Sequence, residues 1–593
     1  MSGCMQPEPE PASRCLLRRN FAALVAESCG ATENKLTQSS SRHGRHGERP
    51  APESHGPKVQ EDDSLQLQVP LLKHKKRGGS KAPAVILLFE CLESTAFNGI
   101  STNLVVYLET VLHGTNLASA SNVATWFGTS YLTPVFGAII ADSFWGNYNT
   151  ILVSLVVYLL GMMLVPFSAF VPTTTAALCA AGASCAGTAG TWGLSSQTVA
   201  FAGLYLVAIG CGGVRSSLLP FGAEQFDDDS AADREGKASF FSWFYLCVSF
   251  GPIISGVFLV WIQQNVSWGL GFGIATACIA LAFAAFVLAT PMYKRRMPAG
   301  TPLKSLCQVV AAACKKISVN VPAEAGHLYE VSDKIASPQP KIAHTSDFKF
   351  LDKAAIVTES DMEERPEAAT SWKLCTVTQV EELKILLRLL PVWITSVVVS
   401  SAFSQMNTTF VQQGSAMEMT ILSVPVPAAS LASFEVICVM TWVLLYNKVI
   451  VPALRSFSSS GDGEPSQLQR MGAGRLLMAL TMALPQYFFL AGGEVFCYIA
   501  QLEFFFDEAP DTMKSMCTSL ALLTIALGSY MSSFIYAIVE AFTATGDSPG
   551  WISDDLNKGH LDYFFWAMAA MCTLNFVVYS GIVKNYRLKT VIS

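Results

Sequence analysis

Apolar runs of roughly 20–30 residues follow one another along most of this chain, and they limit its folds more than any other feature. A helix needs about 20 such residues to cross a bilayer. In hydrocarbon, backbone polar groups must be satisfied within the segment, so runs of this length read as spanning helices. Of the 593 residues, 51% are hydrophobic and only 14% are charged, against about 25% charged in a soluble domain. The charges collect in residues 1–81, in 294–380 and in short loops. The expected fold is therefore all-α and polytopic, embedded in membrane lipid. No basic surface points to nucleic acid.

Lys73, Lys75, Lys76, Arg77 and Lys81 precede the first run, which places the N-terminus in the cytoplasm. Residues 1–82 read as a disordered cytoplasmic tail, rich in Pro, Ser, Glu and Arg. Spans follow near 84–112, 120–144, 148–171, 198–221, 238–263 and 269–293, so 83–293 is a six-helix bundle that exits at Lys294-Arg295-Arg296. Residues 294–380 form a charged cytoplasmic linker. A second bundle, 381–586, has spans near 383–412, 427–452, 484–506, 513–541 and 561–583, and a cytoplasmic tail, 587–593, ends the chain. One element falls short. Between Arg470 and Leu484 only Leu476–Ala483 is continuously apolar, about 12 Å of helix. The ninth helix is thus expected to be truncated, giving about eleven full spans and one stub. Two bundles joined by a charged linker is the layout of a transporter built from repeated halves, with its site at their interface.

The first span carries two carboxylates, Glu90 and Glu93, three residues apart, with Phe97 and Ser101 following at steps of four. These positions share one helix face. A charged side chain at membrane depth costs about 2.5–3.5 kcal/mol on insertion scales, so the face is expected to look into a polar cavity. The other ionisable groups within spans are Arg215, Glu435 and Glu494. Desolvation favours the neutral acid, which suits such groups to accept and release protons near neutral pH. Glu90 and Glu93 are therefore read as proton acceptors, and Glu435 as structural. Cys179 and Cys185 share an uncharged loop, which leaves a disulfide between them open. No cysteine or histidine array has metal-ligand spacing, and no cofactor is called for. The absence of a Gly-x-x-x-x-Gly-Lys-Ser/Thr loop leaves ATP-driven pumping without support. No nucleophile–base pair suggests an enzyme.

Several long motifs then resemble one family. They include Gly203-Leu-Tyr-Leu-Val-Ala-Ile-Gly-Cys-Gly-Gly-Val-Arg215, Phe221-Gly-Ala-Glu-Gln-Phe-Asp227, Leu351-Asp-Lys-Ala-Ala355, Cys375-Thr-Val-Thr-Gln-Val-Glu-Glu-Leu-Lys384 and Gln501-Leu-Glu-Phe-Phe505. From Ala84 to Tyr586 the chain resembles the proton-dependent oligopeptide transporters, in their plant nitrate and peptide branch, within the major facilitator superfamily. Val411-Gln-Gln-Gly414 and Trp551–Phe565 look most similar to the peptide-transporting plant subgroup. The resemblance implies two six-helix bundles and proton coupling at a Glu-x-x-Glu-Arg motif. Here Glu90 and Glu93 match, and Ser94 stands at the Arg position. It implies substrate contacts at Phe97 and Asn98, at Arg215 paired with Glu494 or with a substrate anion, at Ser249 where an Asn is common, and at Phe403 where Tyr or His occurs. Thr150 matches a phosphorylated Thr of a relative, but Asn147 stands where a basophilic kinase needs Arg.

The leading expectation is a proton-coupled symporter of small peptides or nitrate working by alternating access, a monomer in the plasma membrane or vacuolar membrane. The alternative is a non-transporting or inactive paralogue or sensor, favoured by Ser94, Ser249 and the short ninth helix.

Overall fold

The computed structural model describes residues 81–169, 195–226, 231–295, 302–319, 328–329, 342, 344–357, 372–417, 420–421, 424–453, 465–483, 487–508, 514–544 and 550–586. The tails 1–80 and 587–593, Cys179, Cys185 and Asp227 lie outside the described residues. Among the described residues, ten helical segments are long and apolar enough to cross a membrane. One of them, Asn116–Ser168, is a hairpin and supplies two crossings, which makes eleven. In chain order the helices are α1 (Lys81–Ser101, continued by Leu104–Thr110), α2 (Asn116–Ile140), α3 (Gly146–Ser168), α4 (Ser196–Ala223), α5 (Ala231–Ile254, continued to Asn265) and α6 (Trp268–Leu288). After a linker helix, Pro302–Lys315, come α7 (Val377–Phe403, continued by Thr409–Ser415), α8 (Leu431–Leu445), α9 (Gln467–Ala483), α10 (Tyr487–Glu494, continued to Glu508), α11 (Lys514–Thr543) and α12 (Leu561–Asn585). Two two-residue strands, Thr420–Ile421 and Val424–Pro425, form a small antiparallel pair before α8.

The hairpin follows from how α2 and α3 meet α4. Trp126 Nε1 donates to Leu204 O at 2.7 Å and Thr133 Oγ1 to Ala208 O at 2.6 Å, so α2 runs parallel to α4. Tyr158 meets Gly210 whereas Gly161 meets Val207 and Gly203, so α3 runs antiparallel to it. Gly146, at φ 71°, takes the reversal between them in a region that favours glycine. A Cβ at Gly210 would strike the Tyr158 backbone. Gly210→Ala is therefore expected to destabilise by about 1–3 kcal/mol, as overpacking does. Thermal unfolding in detergent checks this, with Gly273→Ala as the control, because a Cβ at Gly273 meets nothing within 4 Å.

The first bundle closes on a core that includes Phe89, Ile100, Trp126, Tyr158, Phe221 and Phe286. A second core joins Val399, Met478, Leu490, Tyr536 and Phe564 across α7 and α9–α12. α7 begins at Val377, earlier than the apolar pattern suggests. Thr376 and Gln379 form a reciprocal capping box there. Glu381, Glu382 and Lys384, at the start of α7, are all buried despite their charge.

The ninth helix extends beyond its apolar stretch but stays short, and it is not among the ten segments long enough to cross a membrane. α9 has 17 residues, about 25 Å of helix, and is not an eight-residue stub. Its buried residues include Met471, Gly474, Arg475, Met478 and Met482, one stripe at helical spacing that begins before the apolar stretch Leu476–Ala483. α9 runs antiparallel to α10: Cys497 Sγ donates to Met471 O at 3.7 Å, and Gly493 lies beside Met478. Glu494 stands in the orientation of a complete bundle, and no re-entrant piece is needed.

Candidate functional site

Glu93 lies on the inward stripe of α1 and is 1% exposed. Arg215, on α4, approaches Glu93 Oε1 through Nε at 3.4 Å, and Tyr158 on α3 donates its hydroxyl to the same oxygen at 3.2 Å. The guanidinium also sits 3.8 Å above the centre of the Phe97 ring. Phe97 is stacked on Trp126 at 5.4 Å, which fixes the ring under the cation. Three helices thus hold one carboxylate, one guanidinium and one phenol together. The Arg215 side chain keeps 25% exposure, so it remains open to a ligand.

The other predicted residues fall around this pair in different ways. Glu90, one turn earlier, is buried on the same helix. Asn98 is half-buried and donates from Nδ2 to Ser94 O at 2.8 Å. Ser249 is half-buried on α5. Phe403, at the end of α7, meets Tyr498 edge-on at 5.4 Å. Ser94 does not line the space. Its hydroxyl donates to Val248 O at 2.9 Å, and Gly251 packs directly against it. An arginine at this position would need α1 and α5 to separate, so the small residue closes the helix contact.

Arg215 is paired with Glu93, not with Glu494. Glu494 instead lies beside Glu435 of α8. Glu435 Oε1 and Glu494 Oε2 are buried and have no partner, which leaves acceptors for a donor ligand. The sequence reading left Glu435 structural. Its signal was an acid inside an apolar run, but nothing in the sequence brings residues 435 and 494 together. Tyr131 of α2 lies within the electrostatic reach of Glu93, Arg215 and Glu494. A π-helical turn, Val495–Ile499, starts directly after Glu494, an irregularity common at functional sites.

Arg475 was not singled out by the sequence. It is 1% exposed, donates to Met471 O, Thr395 Oγ1 and Ser396 Oγ, and lies 3.8 Å over the Tyr579 ring. It locks α9 to α7 and α12. Glu503 pairs with Arg470, as its position at a motif end predicts. Thr150 is buried and donates to Gly146 O at 3.0 Å, so it is hidden from a kinase.

Above the site the two bundles close on the face opposite the linker. Ser121 and Ser533 hydroxyls meet at 2.6 Å, Thr129 and Tyr530 at 2.9 Å, and Ser433 Oγ donates to Pro252 O at 3.1 Å. Asn116 N donates to Asp554 Oδ1 at 2.9 Å. Two helical bundles shut on one face over a buried carboxylate–guanidinium pair define a secondary transporter of the major facilitator fold. The comparisons with known proteins narrow the class. A model of the POT family matches residues 148–484 and 480–552, and the chain belongs to that family of transporters. The two matched stretches meet at 480–484, at the end of α9, where this chain is short. The chain is 44% identical to Protein NRT1/PTR FAMILY 8.3 of Arabidopsis thaliana, covering 89% of this chain and 95% of that one. It is 41% identical to Protein NRT1/PTR FAMILY 8.5 of the same plant, covering 89% and 93%. An auto-inhibited POT family peptide transporter of known structure superposes with a TM-score of 0.65 at 19% identity, over 86% of this chain and 98% of that chain.

Proposed function

We propose that this chain is a proton-coupled symporter of small peptides, working by alternating access, with nitrate as the competing substrate. The supporting observation is Glu93 Oε1, which receives both Arg215 Nε and the Tyr158 hydroxyl. When Glu93 takes a proton, Arg215 loses its counter-charge and turns to a substrate anion, which guanidinium grips bidentately. When Glu93 ionises, it recaptures Arg215 and the substrate anion is released. One proton and one substrate therefore move together. Carboxylate and nitrate both fit this cation. The Glu435–Glu494 pair favours the peptide, because a nitrate ion needs no acidic pole whereas a peptide ammonium does.

Lys294 and Arg295 at the end of α6 and Lys584 at the end of α12 put the linker face in the cytoplasm by the positive-inside rule. The closed face is then the outer one, and Arg215 remains open toward the cytoplasm. The chain works as a monomer of two bundles, 83–293 and 381–586, surrounded by lipid in the plasma or vacuolar membrane. The non-transporting alternative leaned on Ser94, Ser249 and the short ninth helix, and the packing of Ser94 between α1 and α5 accounts for the first without loss of the site. Uptake in oocytes tests the reading. Lowering the external pH is expected to raise dipeptide uptake, with nitrate uptake weaker. Uptake indifferent to pH overturns the coupling, and nitrate uptake alone overturns the peptide assignment.

A further inference from the structure

The closed face contains an acid that the transport site does not use. Glu109, in the last turn of the continued α1, reaches across to the second bundle. Gln412, 1% exposed, donates from Nε2 to Glu109 Oε1 at 2.6 Å and to Asn116 O at 2.6 Å. Both amide hydrogens are thereby committed to the first bundle. The other end of the amide, Gln412 Oε1, is buried and has no hydrogen-bond partner. Such an orphaned acceptor is costly, and in native structures it calls for an explanation.

Among the described residues, the charges nearby offer no cation to balance Glu109. α2, the Thr409–Ser415 helix and the opening turns of α4 carry no Asp, Glu, Lys, Arg or His. The 550–560 loop brings Asp554, which accepts from Asn116 N and acts on Glu109 as a like charge. In the same loop Lys558 pairs with Asp555 at 3.2 Å, and His560 stacks on Tyr563. His113, beyond the end of α1, is exposed.

We infer that Glu109 is a proton-binding site of the gate between the bundles, and that the gate closes with this carboxyl group protonated. A carboxylic acid and a primary amide pair through two hydrogen bonds. The amide N–H enters the acid's carbonyl oxygen, and the acid O–H enters the amide oxygen, here Gln412 Oε1. The carboxylate makes only the first bond, leaves Gln412 Oε1 unpaired and puts a second negative charge beside Asp554. The proton comes from the water on that face while the gate is open. Glu109 thus adds a proton-dependent step remote from Glu93. The inference rests on the alternating-access reading, since it needs this face to open.

The test uses the full chain in liposomes with the same buffer on both sides. Nitroxide amino acids replace the exposed Ala118 and Lys558, which flank the gate on opposite bundles. Electron–electron distance measurements then report closure at about pH 5 and about pH 8, one acid and one alkaline condition. In the otherwise unaltered chain the closed fraction is expected to fall by at least about half on going to the higher pH. Glu109→Gln, uncharged at either pH, is expected to stay closed at both. Gln412→Leu, which removes the partner, is expected to be less closed at both and to lose the pH response. Glu93→Gln is expected to keep that response, which separates this site from the central one. A pH response retained in Glu109→Gln, absent from the parent or lost only in Glu93→Gln overturns the inference. The last of these outcomes leaves the proposed symport intact.

Discussion

Glu93→Gln is expected to abolish acid-stimulated uptake while leaving substrate exchange in place. Glutamine keeps the size of the side chain and an acceptor for Tyr158, but it cannot gain or lose a proton. Arg215 is then permanently without its counter-charge. Removing one partner of a buried, hydrogen-bonded ion pair costs about 3–5 kcal/mol. Each 1.4 kcal/mol is about a factor of ten, so proton-driven accumulation is expected to fall by about 100-fold or more. Exchange of labelled for unlabelled substrate across the same membrane requires no net proton movement and should persist. Tyr158→Phe removes one neutral donor from the same oxygen, worth about 0.5–1.5 kcal/mol, and its loss should be roughly tenfold or smaller. Uptake in liposomes with an imposed pH gradient, beside exchange in its absence, measures both. Acid-stimulated uptake that survives Glu93→Gln would remove Glu93 from the coupling step. Loss of exchange as well would assign it to substrate binding alone.

The parts of this arrangement differed in how visible they were beforehand. Apolar runs announced the spans, because hydrocarbon demands long uninterrupted segments. The Glu90–Glu93–Phe97 spacing announced one polar face of α1, because three and four residues make one side of a helix. Partners were hidden. Arg215 lies 122 positions from Glu93, and its choice of Glu93 over Glu494 depends on how α4 packs beside α1. Glu435 and Glu494 each carried the mark of an acid in an apolar run, but their meeting depends on α8 packing beside α10. The earlier start of α9 has a specific cause. Arg470 and Arg475 looked like loop residues because arginine is costly in a membrane. One finds Glu503, and the other finds two hydroxyls, a carbonyl and a tyrosine ring on neighbouring helices. The gate around Gln412 had no sequence signal, since an ordinary amide acquires its meaning only from what it faces.

Lys384→Met is expected to be the most destabilising single change on the linker face. Two motifs separated in sequence, Leu351–Ala355 and Cys375–Lys384, meet there around one ammonium. Lys384 is fully buried, with Nζ 2.7 Å from Asp352 Oδ1, 2.8 Å from Glu381 Oε1 and 2.9 Å from Thr345 O. Thr345 binds Glu381 with both its backbone N–H (2.9 Å) and its hydroxyl (2.8 Å), and His344 reaches Asp352 at 3.2 Å. His344, Asp352 and Glu381 have the composition of a metal site. Lys384 sits against both carboxylates, however, and a divalent cation there would face an ammonium. The cluster thus straps the linker to the base of α7, the helix whose other end reaches the gate at Gln412. Methionine fills the space of lysine without its charge, and two buried carboxylates are left facing each other. The expected cost is about 3–5 kcal/mol, read as a lower midpoint of thermal unfolding in detergent and a smaller monodisperse fraction. Lys384→Met combined with Glu381→Gln removes one of the stranded charges and should recover part of the loss, whereas Lys384→Met with Glu503→Gln, at a separate ion pair, should recover none. Unfolding midpoints that match the parent in Lys384→Met would show the linker held by its apolar contacts alone.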